Sequence, residues 1–220
     1  MARMRRRTPA RSAKAANGRD AELSQAKLIA AATKEFARHG LLGARVDRIA
    51  DGAGVNKQLI YYHFKNKEAL YVAVLERAYT DIRLRERELE LDVLPPWQAM
   101  DKLVGFTFDY VTEHPSFVAL LMDENVHRGV HLKKSEELRR LRSPFVDFIA
   151  QTLKRGERSG AFRRGLDPMQ FYISLAGLCF FYHANIHTLS VLFNRPLAAS
   201  TELKRRRAHV VDLVKSYLRP

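Results

Sequence analysis

Asn56, Lys57 and Gln58 are three consecutive side chains that can hydrogen-bond to a nucleobase edge. They sit in the segment Arg45–Phe64, RVDRIADGAGVNKQLIYYHF, which meets the physical demands of a helix-turn-helix. Ala50 is small enough to let two helices approach, and Gly54 can take the positive φ that a tight turn requires. Ile49, Ala53, Val55 and Ile60 are spaced to fill the small core between the helices, with Phe64 beside them. Asn56, Lys57 and Gln58 then fall at the exposed N-terminal end of the second helix, where this motif meets base edges.

Other reactive side chains form no comparable pattern. His183 and His187 stand at i and i+4, the spacing of a metal pair, but no acid or cysteine joins them in clear register. The single cysteine, Cys179, excludes an intrachain disulfide and a multi-cysteine zinc site, and fits a reducing cytoplasm. The sequence has no nucleophile–base constellation and no glycine-rich phosphate loop, so an enzyme is not expected, nor a cofactor or metal.

The elements that position the motif read as helices throughout, and the fold class is all-α. Leu28, Ile29, Ala32 and Phe36 mark one face of a first helix that Gly40 ends. Ile49 and Ala53 belong to a short second helix, and Asn56 is placed to cap a third, from Lys57 to about Phe64. Asn66 can cap a fourth, running to about Leu91. Asp92–Pro96 is the first strong break, with Trp97 as a wedge behind it. Further helices are predicted over 97–113, 115–128, 136–158, 167–193 and 200–218. The expected organisation is a basic arm over 1–19, disordered when free, a helix-turn-helix domain over 20–66, and a ligand-binding and dimerisation domain over 67–220.

Charge points to an anionic partner. The chain has 220 residues, a formal net charge of +14, and 46% hydrophobic residues, enough to bury a core. Arg3, Arg5, Arg6, Arg7, Arg11, Lys14 and Arg19 precede any acidic residue, so the arm suits phosphate neutralisation or a minor groove, or serves only as a solvated tail. Gln170–Asn194 lacks Asp, Glu, Lys and Arg and is long enough to span a bilayer. Its Ser174, His183, Asn185, His187, Thr188 and Ser190 are too polar for hydrocarbon, so a buried helix and no membrane partner are expected.

From about Lys27 through Leu70 the sequence resembles the TetR/AcrR family of transcriptional regulators. The resemblance is carried by Arg38-His39-Gly40, Ile49-Ala50-x-x-Ala53-Gly54-Val55, Tyr61-Tyr62-His63-Phe64 and Lys65-Asn66-Lys67-Glu68-Ala69-Leu70. It implies that Lys57 and Gln58 reach bases, Lys toward guanine and Gln toward adenine. It also implies that Arg45, Asn56, Tyr61, Tyr62, His63 and Lys67 contact phosphates or sugars. Arg45 stands where a hydroxyl residue is common in the family, and Gln58 where Gly, Ala or Pro is common, so base preference cannot be borrowed. The residues themselves leave open whether one of Tyr61 and Tyr62 packs between helices, and place Asp47, Arg48 and Asp51 on a solvated face.

The resemblance further implies a small-molecule effector and a homodimer on a palindromic operator, with ligand releasing a repressor; the alternative is a sequence-tolerant architectural DNA binder. Met122–Asn125 is similar to members that sense aromatic or heterocyclic catabolites. Candidate ligand-facing residues are Phe106, Phe108, Tyr110, Met122, Glu124, Asn125, Phe180, Phe181, Tyr182, His183, Asn185 and His187. The final helix sets Leu203, Val210, Val214 and Tyr217 along one side for pairing, widened by Leu213, with Lys204, Arg205 and Arg206 toward solvent.

Overall fold

The computed structural model describes residues 10–140 and 144–220. The described residues form helices and connecting turns, without strands, in two compact units that divide between Val74 and Leu75.

In the first unit, α1 (Ala10–Gly43) packs on α2 (Val46–Ala53) and α3 (Gln58–Phe64), and α4 (Lys67–Arg87) begins. Leu28, Ala32 and Phe36, four residues apart, are buried with Ile49, Ala50, Ile60, Phe64, Leu70, Tyr71 and Val74. Phe36 meets Tyr71 edge-on at 5.1 Å. Gly40, expected to end the first helix, instead kinks it at φ 64°, ψ 175°, and helix resumes to Gly43. Backbone helix also starts at Ala10, inside the stretch expected to be a disordered arm. Ala10, Ala13, Ala15 and Ala16 carry high helix propensity, which offsets the repulsion among its cations. Residues 1–9, with Arg3, Arg5, Arg6 and Arg7, lie outside the described residues.

The second unit is built around α5 (Pro96–Glu113). It is followed by α6 (Pro115–Val126), α7 (Val130–Lys134), α8 (Glu136–Arg140), α9 (Pro144–Arg158), α10 (Pro168–Ala184), α11 (Ile186–Leu192) and α12 (Ser200–Leu218). Stripes with four-residue spacing converge on α5: Phe145, Ile149 and Leu153 from α9; Phe171, Leu175 and Cys179 from α10; Val210, Val214 and Leu218 from α12. Burying each large aliphatic or aromatic side chain contributes about 1.5–3 kcal/mol. Arg207 forks onto Asp109 at 2.7 and 2.8 Å, tying α12 to α5. The break after α4 is pinned by Arg155, whose guanidinium donates to the carbonyls of Leu91, Asp92 and Leu94. Trp97 packs edge-on against Phe162, as a wedge would. That ring also fills the space where a side chain on Gly156 would stand.

Three differences from the expectation stand out. α4 ends at Arg87 rather than near Leu91. A one-turn α7 precedes the helix predicted over 136–158, of which α8 and α9 are the described parts. The helix predicted over 167–193 bends by 66° at Asn185, which ends α10 and starts α11. α10 buries only one stripe, and α11 has no buried residue, so the uncharged stretch is not a fully buried helix. Among the described residues no single helix is long and apolar enough to cross a membrane, although the bent pair passes on length and composition.

Candidate nucleic-acid interface and effector chamber

The turn between α2 and α3 is built on Gly54, at φ 64°, ψ 36°, whose amide closes onto the carbonyls of Ala50 and Asp51. A Cβ here would carry the strain of the left-handed region. Asn56 follows, and its Oδ1 accepts from the amide of Gln58 at 2.8 Å. Asn56 is therefore the cap that starts α3. Ile60 and Phe64 turn inward, while Lys57, Gln58, Tyr61 and Tyr62 are exposed, Tyr62 by 77%. Neither tyrosine is buried between the helices, which leaves both rings available to a partner.

Around this row, several side chains predicted to meet DNA also brace the unit. Glu35 accepts from the Arg45 amide at 2.9 Å and from Arg48 Nε at 2.8 Å, fixing α1 against the start of α2. Lys67 Nζ donates to Ala44 O at 3.1 Å, at the end of α1, while Asn66 caps α4 through the amide of Ala69. His63 Nε2 lies 3.0 Å from Ser24 Oγ. Lys57 Nζ lies 2.6 Å from Asp47 Oδ1. The hydrogen bond to Asp47 raises the Lys57 pKa, and the same bond lowers that of Asp47. Asp47 and Arg48 thus do more than cover a solvated face: one pairs with Lys57, and the other joins α2 to α1.

The second unit holds a partly open cavity of about 140 Å³. Its rings are Phe106 from α5, Phe117 from α6, Phe145 from α9, and Tyr172 and Phe180 from α10. Its polar end is formed by Tyr79, Arg83 and Glu86 on α4. Glu86 is 5% exposed and takes Arg83 Nη1 onto both oxygens, at 2.7 and 2.5 Å. Burial pushes Glu86 up to about 6, against the opposing pull of Arg83. Burial likewise raises the Cys179 thiol, to about 12, which leaves it unreactive.

The raised Glu86 pKa has a consequence for stability. The folded state holds this proton more tightly than the unfolded chain, so the group penalises folding above its folded pKa and not below about 4.5. A shift from 4.5 to about 6 corresponds to about 2 kcal/mol, lost as pH rises through that window. Between pH 4.5 and pH 7, the urea-unfolding free energy of the wild type should fall by about 2 kcal/mol relative to that of Glu86→Gln.

Two family profiles cover most of the chain. One, of bacterial regulatory proteins of the tetR family, matches residues 28–74. The other, of the tetracyclin repressor-like C-terminal domain, matches residues 96–214. The chain belongs to the TetR family. The transcriptional repressor NicS of Pseudomonas putida is 38% identical over 170 residues, 77% of this chain and 80% of that protein. The repressor SCO4008 of Streptomyces coelicolor is 40% identical over 111 residues, 50% of this chain and 54% of that protein. The crystal structure of the regulator SCO4942 from the same species superposes with a TM-score of 0.66 at 26% identity, covering 90% of this chain and 99% of that one. The TetR family is one of transcriptional regulators, not of enzymes.

Within this TetR-family chain, Phe106 and Phe180 of the predicted ligand-facing residues line this chamber. The others do not. Tyr110 stacks on His114 and reaches Asp81 with its hydroxyl. Glu124 is buried and caps α7, accepting from the amides of His131 and Leu132. Asn125, which is exposed, and Asn185, which is half-buried, donate to the carbonyls of Leu121 and Phe181. Met122, His183 and His187 line a separate, open groove. His183 donates from Nδ1 to Cys179 O, and its Nε2 lies 2.8 Å from Thr112 Oγ1, so neither nitrogen is set for a metal shared with His187. Phe108 is core, beside Tyr182.

Sequence reasoning missed Tyr79, Arg83, Glu86 and Tyr172. Arg83 and Glu86 are three apart on a helix otherwise rich in surface charge, where a buried pair has no distinct signature. Arg206 was expected in solvent. It is half-buried instead, donating to Leu178 O, with its Nε buried and without a partner among the described residues.

Proposed function

We propose that this chain is a ligand-responsive transcriptional repressor that binds a palindromic operator as a homodimer in the cytoplasm and is released by a small aromatic or heterocyclic effector. The observation that carries the reading is the exposed row Lys57, Gln58, Tyr61 and Tyr62 on a Gly54-turned pair of helices. Lys57 and Gln58 read bases, whereas Arg45, Tyr61, Tyr62, His63 and Lys67 set register on phosphates and sugars. Asn56 contributes by capping the reading helix.

Dimerisation is supported by the outer face of α10 and α12. Ile173, Phe181, Leu213 and Tyr217 are exposed there, Phe181 by 59%, beside a groove of about 520 Å³ that Arg206 also lines. A continuous apolar patch of this kind favours association. A twofold pair places two reading helices about one DNA turn apart.

The effector reading is supported by the ring-lined chamber. Its volume of about 140 Å³ is close to that of a cavity of about 150 Å³ that takes benzene. α4 contributes Lys67 to the first unit and Tyr79, Arg83 and Glu86 to the second, so a ligand that displaces α4 alters the DNA-binding unit. A coupling of about 1–3 kcal/mol is typical of such allostery.

Selection from a random duplex pool tests the reading. The expected result is one inverted repeat with half-sites about one helical turn apart. A pool that remains without consensus would refute it.

A further inference from the structure

We propose that the effector is a monocyclic aromatic or heteroaromatic carboxylate, bound through the Arg83 guanidinium in exchange for Glu86. The inference rests on the reading of the chamber as the effector site and names the ligand's chemical class.

Size favours a ligand of about one ring, because the volume of about 140 Å³ is close to that of a cavity that takes benzene. Ring walls on four helices, from Phe106, Phe117, Phe145, Tyr172 and Phe180, suit a planar π-system. The polar end selects for charge. Among the described residues Arg83 is the cation lining the chamber, and it is nearly buried, with Phe145 beneath its guanidinium at 5.8 Å. Glu86 engages it poorly: both carboxylate oxygens converge on the single nitrogen Nη1. A guanidinium offers two parallel N–H groups to a carboxylate, and the pair with Glu86 does not use that fork. A ligand carboxylate that takes both N–H groups of the fork can therefore stand in for Glu86 without leaving the guanidinium unpaired.

Exchange keeps the chamber neutral. Before binding, one guanidinium faces one carboxylate. Afterwards it faces the ligand's carboxylate, and Glu86 has taken one proton from solvent. Burial already favours the protonated form of Glu86, and losing its share of Arg83 favours it further. The other groups around Glu86 do not compete for this proton. Tyr79 on α4, Tyr110 on α5 and Cys179 on α10 are all pushed upward by burial. Tyr172 on α10 hydrogen-bonds to Arg83, Glu124 of α6 is committed to α7, and α9 presents Phe145. Uptake of one anion is thereby tied to uptake of one proton.

Calorimetric titration of the full chain tests this, using benzoate, hydroxybenzoate and pyridine carboxylates alongside their amides at pH 5.5 and 7.5. The acids should bind at least about 10-fold more tightly than the amides, as expected for a charge-assisted bidentate pair. Acid affinity should fall about 10-fold or more between the two pH values, with about one proton taken up per acid at pH 7.5, read from buffers of different ionisation enthalpy. Glu86→Gln should bind acids at pH 7.5 as tightly as the wild type does at pH 5.5. Arg83→Gln should lose the preference for acids over amides, and the double variant, neutral throughout, covers the case in which either single variant fails to fold. Amides binding as well as acids would overturn the carboxylate assignment while leaving the chamber as effector site. Failure of both acids and amides to bind would overturn the assignment together with the effector reading beneath it.

Discussion

Replacing Lys57 and Gln58 together by alanine should leave a protein that still holds duplex DNA but no longer prefers its operator. Each good base contact discriminates by about 1–3 kcal/mol, and a dimer makes each contact twice, so the ratio of operator to random-duplex affinity should fall by a factor of about 100 or more. Both side chains are exposed and neither belongs to the core, so the fold should be unaffected. Asp47 adds a second term. Its carboxylate holds Lys57 Nζ at 2.6 Å in the free protein, and a lysine that turns to a guanine must leave it or share it. Arg45→Ala makes the control: loss of a phosphate contact should weaken all sequences about equally and flatten the salt dependence. Fluorescence anisotropy with operator and scrambled duplexes separates the two outcomes. An unchanged operator preference in the double variant would end the base-reading assignment.

The second large effect is expected at the apolar face of α10 and α12. Phe181 is exposed at the edge of the groove that includes Leu178, Leu213 and Tyr217, so Phe181→Glu removes nothing from the core of a single chain. It sets a carboxylate where a second protomer would pack, and burying that charge unpaired costs several kcal/mol per site. The variant should sediment as a monomer. Operator affinity should fall by about 100- to 10,000-fold, because the second half-site is no longer bound intramolecularly. Thermal unfolding at matched protomer concentration should show a lower midpoint through mass action alone. A variant that remains dimeric would move the interface elsewhere.

The parts of this molecule that were legible in sequence are those whose signals are local. Gly54, Asn56 and Asn66 act on backbone groups within five residues of themselves, and their turn and caps form as the spacing predicts. The Leu28-Ala32-Phe36 stripe and the Ile49, Ala50 and Ile60 core likewise follow from helical periodicity. Where several partners compete for one side chain, the pattern is silent. Lys67 looks like a phosphate ligand and also closes the end of α1, and Glu124 looks like a pocket acid but caps α7. The bend at Asn185 has neither glycine nor proline to announce it, so an uncharged run reads as one long helix. The chamber was half legible: Phe106 and Phe180 stand out as aromatics on apolar helices. Arg83 and Glu86 are buried by the packing of distant helices, which a local pattern does not record.

Competition between one operator duplex and random DNA at moderate salt bears most directly on the claim that this chain reads sequence through Lys57 and Gln58. A specific regulator should retain its operator against roughly a 1,000-fold or greater excess of random duplex, with single mismatches in a half-site costing about 1–3 kcal/mol each. Displacement by an equal mass of random DNA, with affinity set by salt alone, would contradict the account and favour a sequence-tolerant architectural binder.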